Sequence, residues 1–161
     1  MAYELIETVT LSTQTASVAF SGIPQDALDL EMRISARGDF NRGTLSINGS
    51  TGNQTQRRIT GTGSSFVATT ETNELAFWPL STYTANVFGI MSILIPDYTN
   101  ASVNKNLLIT SVQENNDPTA YHDLRGMKVA TTQAVLSLAL NIDSSAQGFL
   151  PGTTVSLYKI Y

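Results

Sequence analysis

The sequence predicts an all-β protein, an antiparallel β-sandwich of the jelly-roll type. Three observations support this prediction. Apolar residues occupy alternate positions in several segments, most clearly at residues 28–37 and 136–142. Alternate side chains of a strand point to opposite faces, so this pattern gives one core face and one solvent face. Only 14% of the residues are charged, with Thr and Ser abundant instead, and turn residues recur at short intervals. Thr favours strands, and short intervals between turns are typical of sandwiches.

The predicted strands follow one another along the whole chain, and they number about nine or ten. In order they cover residues 3–11, 16–20, 28–37, 44–48, 59–70, 86–95, 105–113, 124–130, 136–142 and 153–161. In residues 86–95 both the odd-numbered and the even-numbered positions are mostly apolar, which predicts a central strand covered on both faces. No linker or internal repeat interrupts the pattern, so we expect a single β-sandwich domain over residues 1–161.

Residues 39–73 are the least predictable part of the chain. They contain many Gly, Ser, Thr and Asn residues and few large apolar ones. The segment is either a long hairpin or a loop that reaches out from the sandwich. Long loops on a rigid scaffold often carry function, but a solvated loop without a partner is equally compatible with the composition.

Charge and composition exclude several kinds of partner. The net charge is −4 and the pI is about 4.8, and the sequence has no basic stripe that could replace counterions on phosphates. We therefore expect neither nucleic acid nor an anionic membrane as a partner. The sequence has no cysteine, and its first residues have neither the basic nor the apolar part of a secretory signal. These features predict a soluble protein made in a cytoplasm.

Candidate catalytic residues are few. His122 is the single histidine, and Asp123 follows it directly. Neighbours in a strand point to opposite faces, so Asp123 is badly placed to orient the His122 ring as a general base requires. No serine lies in a G-x-S-x-G turn. We expect His122 to be a structural or surface residue, and we predict that the protein is not an enzyme.

Carboxylates form two loose groups, Asp26 with Asp29 and Glu31, and Glu114 with Asp117. Paired carboxylates could serve glycoside hydrolysis or bind calcium. Neither group has the spacing of an EF-hand. Asp29 and Glu31 fall on the polar face of a predicted strand, and residues 114–118 have the composition of a turn. We therefore predict no metal site and no cofactor.

Aromatic residues allow two interpretations. Phe77 and Trp78 precede a proline, and Tyr83 and Tyr98 lie in predicted loops. Exposed aromatics in loops can form a platform on which sugars stack. The alternative, which we favour, is that Phe77 and Trp78 close one end of the sandwich core.

The order of several short segments resembles a family, the small virion proteins of tailed bacteriophages that are common in cyanophages and other environmental phages. The segments that carry the resemblance are residues 1–11, 18–24, 29–37, 95–98, 111–116 and 149–158. The chain departs from the family at residues 47–53, which keep only part of an Asn-Gly-Asp hairpin, and at residues 57–80, which match nothing in it.

The resemblance implies a non-enzymatic virion surface protein with a β-sandwich fold, often a homotrimer, made in the host cytoplasm. We expect a decoration, cement or knob protein on the capsid exterior, with itself and other virion proteins as partners. The alternative is a receptor-binding module at the tail or fibre tip, with a host-surface glycan as partner. A third hypothesis, a polysaccharide depolymerase, has little support because the chain has one histidine and scattered acids.

Overall fold

A computed structural model of the chain describes residues 2–40, 42–75, 78–114, 120–142 and 147–161. These residues form eleven strands and no helix. The strands are β1 (Tyr3–Thr10), β2 (Ser17–Ser21), β3 (Asp29–Ala36), β4 (Gly43–Ile47), β5 (Gln54–Gly61), β6 (Phe66–Thr72), β7 (Gly89–Ile95), β8 (Lys105–Gln113), β9 (Tyr121–Val129), β10 (Ser137–Ile142) and β11 (Thr154–Ile160). No described helix is long and apolar enough to cross a membrane.

The strands form two sheets in which every named pair is antiparallel. The large sheet has eight strands in the order β1-β11-β3-β7-β8-β9-β5-β6, and the small sheet has three in the order β2-β10-β4. Apolar side chains from both sheets belong to one buried cluster, including Phe20, Leu45 and Leu140 of the small sheet and Met32 and Ile93 of the large one. The structure thus confirms the predicted all-β, two-sheet class. The jelly-roll assignment stays a prediction, because an eight-plus-three division does not by itself establish two Greek keys.

Several of the sequence predictions for individual strands are accurate, and those for residues 86–95 and 59–70 are wrong in part. The alternating segments 28–37 and 136–142 contain β3 and β10. The prediction that residues 86–95 are covered on both faces is wrong. The strand there, β7, buries Met91, Ile93 and Ile95 but leaves Ile90 60% exposed. The apolar side chains of one face of β7 therefore belong to the core, and the apolar side chains of the other face form part of an exposed surface.

The uncertain segment 39–73 contains β4 and a hairpin made by β5 and β6. The single strand predicted at residues 59–70 is wrong, because a two-residue turn divides it. The Thr62 N–H donates to the Ser65 carbonyl at 3.1 Å, and Gly63, the first central residue, has φ of 89°. A glycine with positive φ at this position is typical of a type II′ turn, which matches the twist of the strands it joins. The segment therefore contributes β4 to the small sheet and the β5–β6 hairpin to the large sheet, and it is not a free loop.

Candidate functional site

A groove of about 830 Å³ crosses the outer face of the large sheet, the face that points away from the small sheet. Two neighbouring rows of cross-strand partners line it. One row consists of Phe66, Gly61, His122, Val112, Ile90, Ser35 and Thr154. The other consists of Ile59, Leu124, Thr110, Ser92, Arg33 and Ser156. The groove therefore runs across the strands, and strand alternation selects the side chains that line it.

One end of the groove, near β6, is apolar and faces solvent. Phe66 is 84% exposed and Leu124 is 47% exposed, while Ile59 lies directly opposite Leu124 in the register and is also half-exposed. A Cβ on Gly61 would lie 3.5 Å from Cε1 of Phe66, so the Phe66 ring lies over the glycine of the neighbouring strand. Large apolar side chains grouped on a surface in this way usually mark a contact with a partner.

The other end of the groove is polar and holds a surface ion pair. Arg33 donates to Glu31 through Nε and Nη2 at 3.0 and 3.1 Å, and Ser92 donates to Glu31 at 2.8 Å. The hydrogen bonds from Arg33 lower the pKa of the Glu31 carboxyl below its ordinary value of 4.5. The Arg33 guanidinium also lies 4.9 Å from the ring centre of Tyr3 and 5.0 Å from that of Tyr158, within cation–π range.

His122 and Asp123 lie on opposite faces of β9, as strand alternation predicts. His122 is exposed and lines the groove, with Gly61 and Val112 as its cross-strand neighbours. Asp123 is buried on the inner face, where Thr60 donates a hydrogen bond to it. The structure therefore does not bring together the His–Asp pair that a general base of this kind would need.

The acidic residues that the sequence groups together have separate partners. Asp26 contacts Lys159 at 3.1 Å, Asp29 accepts a hydrogen bond from the backbone of Asp97 at 2.9 Å, and Glu31 pairs with Arg33. Within the described ranges, no three His, Cys, Asp or Glu side chains are arranged to hold a metal ion.

Glu114, a member of the second acidic group, follows β8 directly. Glu114 accepts a hydrogen bond from the Thr84 hydroxyl at 2.9 Å. Asp117 lies outside the described residues.

Of the aromatic residues that the sequence offered for a sugar platform, Trp78 and Tyr98 are buried and Tyr83 is partly buried. Trp78 is buried, donates through Nε1 to the Phe40 carbonyl at 2.6 Å and packs against Phe149 at a centroid distance of 5.0 Å. Tyr98 is fully buried and donates to the Pro24 carbonyl. Trp78 belongs to the buried core, as the favoured interpretation requires, while Phe77 lies outside the described residues.

A buried ionic cluster on the inner face is a feature that the sequence reasoning missed. Arg125, which is fully buried, contacts Glu71 at 3.1 Å and Asp123 at 3.5 Å. Arg58 contacts the same two carboxylates at 2.8 and 3.9 Å. Burial lowers the pKa of Arg125, and the two carboxylates oppose this effect. A signal was available: in the strand predicted at residues 124–130, Arg125 alternates in step with the buried Met127, which places both on the same face.

The outer groove is the better candidate for a functional site, since it is accessible and its side chains suit binding by packing and hydrogen bonding. The buried cluster has its charges balanced internally, two cations against two anions, as a structural network requires. Comparisons of the chain with protein-family models, with curated proteins and with solved structures found no match.

Proposed function

We propose that this protein is a non-enzymatic structural component of a bacteriophage virion, a decoration, cement or knob protein on the capsid exterior. The observation that carries the proposal is the groove with exposed Ile59, Phe66, Ile90 and Leu124. A surface of this kind is suited to a protein partner more than to water. The resemblance that several segments bear, in order, to small virion proteins of tailed bacteriophages supports the same function.

The physical role of the groove is to bury apolar area against a neighbouring virion protein. Its apolar end supplies the hydrophobic contact, and the Ser and Thr hydroxyls along the second row supply hydrogen bonds at little cost in desolvated charge. The large sheet supports the groove from behind, because its inner face is buried: the apolar core lies behind the polar end of the groove, and the ionic cluster of Arg58, Asp123 and Arg125 lies behind the apolar end. The proposed assembly is a homotrimer that contacts the capsid shell through these grooves.

The test is to label intact virions with an antibody raised against this protein and to image them by electron microscopy. Label over the head, at many copies per particle, is the expected result. Label confined to the tail would overturn the capsid assignment in favour of a tail protein. Absence of the protein from intact virions would overturn the proposal as a whole.

A matched pair of variants tests whether the groove makes the contact. Leu124→Ser removes an apolar side chain from the groove, and Leu28→Ser removes one that is 61% exposed outside it. Both variants are expected to fold, because both side chains face solvent. Only the groove variant is expected to lose binding to particles that lack the protein. Equal binding by the two variants would exclude the groove as the contact.

A receptor-binding or carbohydrate-binding module of the tail or fibre tip is a second candidate, and one observation favours it. At the polar end of the groove, Tyr3 is 49% exposed and its ring lies beside Arg33 and Tyr158. Aromatic rings next to charged and hydroxyl groups suit a sugar ligand. Under this proposal the isolated protein binds cells or polysaccharide of a susceptible host, and Tyr3→Ala weakens that binding. Failure to bind any susceptible host would exclude it.

A further inference from the structure

The strand β6 forms one outer edge of the large sheet, and its outward hydrogen-bonding groups can be identified. Thr62 and Ser65 form the hydrogen-bonded pair that closes the β5–β6 turn. Hydrogen-bonded and non-hydrogen-bonded pairs alternate along an antiparallel ladder. The backbone N–H and C=O groups of Phe66, Ala68, Thr70 and Thr72 therefore point away from β5. Within the described part of the chain, β5 is the one strand that pairs with β6.

The two edges of the large sheet differ in how well they are protected against pairing with another chain. The edge strand β1 carries Glu4 and Glu7, and its register shifts between Leu5 and Glu7 as in a β-bulge. Charges and bulges are the usual protection of an edge. The edge strand β6 has a continuous register, no proline and one charge, Glu71, which points inward to Arg58 at 2.8 Å. The β6 edge is thus the one suited to pairing.

We propose that β6 pairs with β6 of a second copy of this chain, antiparallel about a two-fold axis at Thr69. This contact joins two large sheets into one continuous sheet. Phe66 lies opposite Thr72 of the other copy, and Ala68 lies opposite Thr70, so every outward backbone group has a partner. The apolar ends of the two grooves then meet on the same face of the joined sheet.

The charge of β6 selects this register. With the axis at Thr69, each Glu71 lies opposite Val67 of the other copy and far from the second Glu71. An axis nearer Thr72 would bring the two Glu71 side chains closer together, until at Glu71 itself they face each other. Like charges in facing positions destabilise a strand pair. An axis nearer Phe66 would leave the backbone of Thr72 without a strand residue of the other copy to pair with. The strand is therefore self-complementary in one register.

The contact adds to the proposed assembly and does not depend on it. A contact of identical surfaces requires a two-fold axis, so it cannot hold the subunits of one trimer together. In a virion the β6 contact would link neighbouring trimers. If the chain is not a trimeric virion protein, the same contact would give a dimer.

A single-cysteine variant tests the register directly, because the natural chain has no cysteine. Facing Thr69 residues form a non-hydrogen-bonded pair, with Cα atoms about 4.5 Å apart, which a disulfide can bridge. Thr69→Cys is expected to form a disulfide-linked pair of chains under mild oxidation. Thr8→Cys on the protected edge β1 is the control and is expected to remain a single chain. Equal cross-linking of the two variants, or none in Thr69→Cys, would overturn the proposal.

A proline variant tests the same contact without cross-linking. The Ala68 N–H points to the open edge, so Ala68→Pro removes a donor from the contact and none from the β5–β6 ladder. Sedimentation is expected to show at least about a tenfold weaker association. Circular dichroism should show the same strand content and a similar melting temperature. Unchanged association in a folded Ala68→Pro variant, or a natural chain without any two-fold association, would exclude the contact. Paired chains together with an absence from virions would exclude only the proposed function.

Discussion

The two halves of the inner face of the large sheet bury different kinds of side chain. A single row of cross-strand neighbours passes through both: Leu157, Met32, Ile93, Ile109, Arg125, Arg58 and Thr69. The first four belong to the apolar core, which includes side chains of the small sheet. Arg125, the next, is equally buried but bound by carboxylates.

The difference shows that strand alternation determines the direction of a side chain and not its chemistry. Ile109 and Arg125 face each other in the register and are both fully buried. The apolar half is stabilised by removal of hydrocarbon from water. The polar half requires that each charge and amide has a partner, as when Gln56 donates to the Glu74 carbonyl. The two halves should therefore respond differently to the loss of one side chain.

The largest effect is expected in the apolar half. Ile93→Ala should lower the free energy of unfolding by about 4 kcal/mol, because the removed atoms leave a cavity at a fully buried position. Ile90→Ala in the same strand is the matched control, since its side chain faces the groove. It should change the stability by less than about 0.5 kcal/mol. Urea denaturation measures both, and similar losses in the two variants would contradict the assignment of faces.

A somewhat smaller effect is expected in the polar half. Arg125→Ala should cost about 3 kcal/mol, because it leaves Asp123 and Glu71 with one cation between them in a buried site. Arg57→Ala, an exposed position on the neighbouring strand, is the control and should be nearly neutral. If denaturation gave equal stabilities for these two variants, the buried charges would not act as a network.

The smallest effect is expected for the ion pair on the outer face. The pKa of Glu31 is lowered in the folded state, so its contribution to stability is present above pH 4.5 and is lost as the pH falls through the folded pKa. Because Arg33 is half-exposed, this contribution should be below about 1 kcal/mol.

The substitution Glu31→Gln tests this expectation. It should flatten the fall in stability below pH 4.5, as measured by denaturation at a series of pH values. Glu7→Gln, at an exposed position of β1, is the control. A variant with an unchanged pH dependence would show that the pair contributes nothing.

The sequence predicted the fold class because β3 and β10 have strictly alternating apolar residues. It failed on β5, because the inward positions there carry Gln54, Gln56, Arg58 and Thr60, which have no hydrophobic signal. The groove was missed for a related reason. Ile59 and Leu124 are far apart in the sequence, and only the register of β5 with β9 makes them neighbours. The prediction that Asp123 does not orient the His122 ring agrees with the structure, because it depends only on the alternation of side chains along one strand.

The position of β11 between β1 and β3 has a consequence for the kinetics of folding. Thr8 bonds Ser156 at 2.8 Å across 148 positions of sequence, and β3 also pairs with β11. The strand β1 therefore has no partner in the large sheet until residues 154–160 have been made, whereas β3 can pair earlier with β7 on its other side. Domains dominated by such distant pairings fold on a scale of milliseconds to seconds. During that delay β1 and one edge of β3 expose unpaired backbone, and such edges are the surfaces through which incompletely folded chains aggregate.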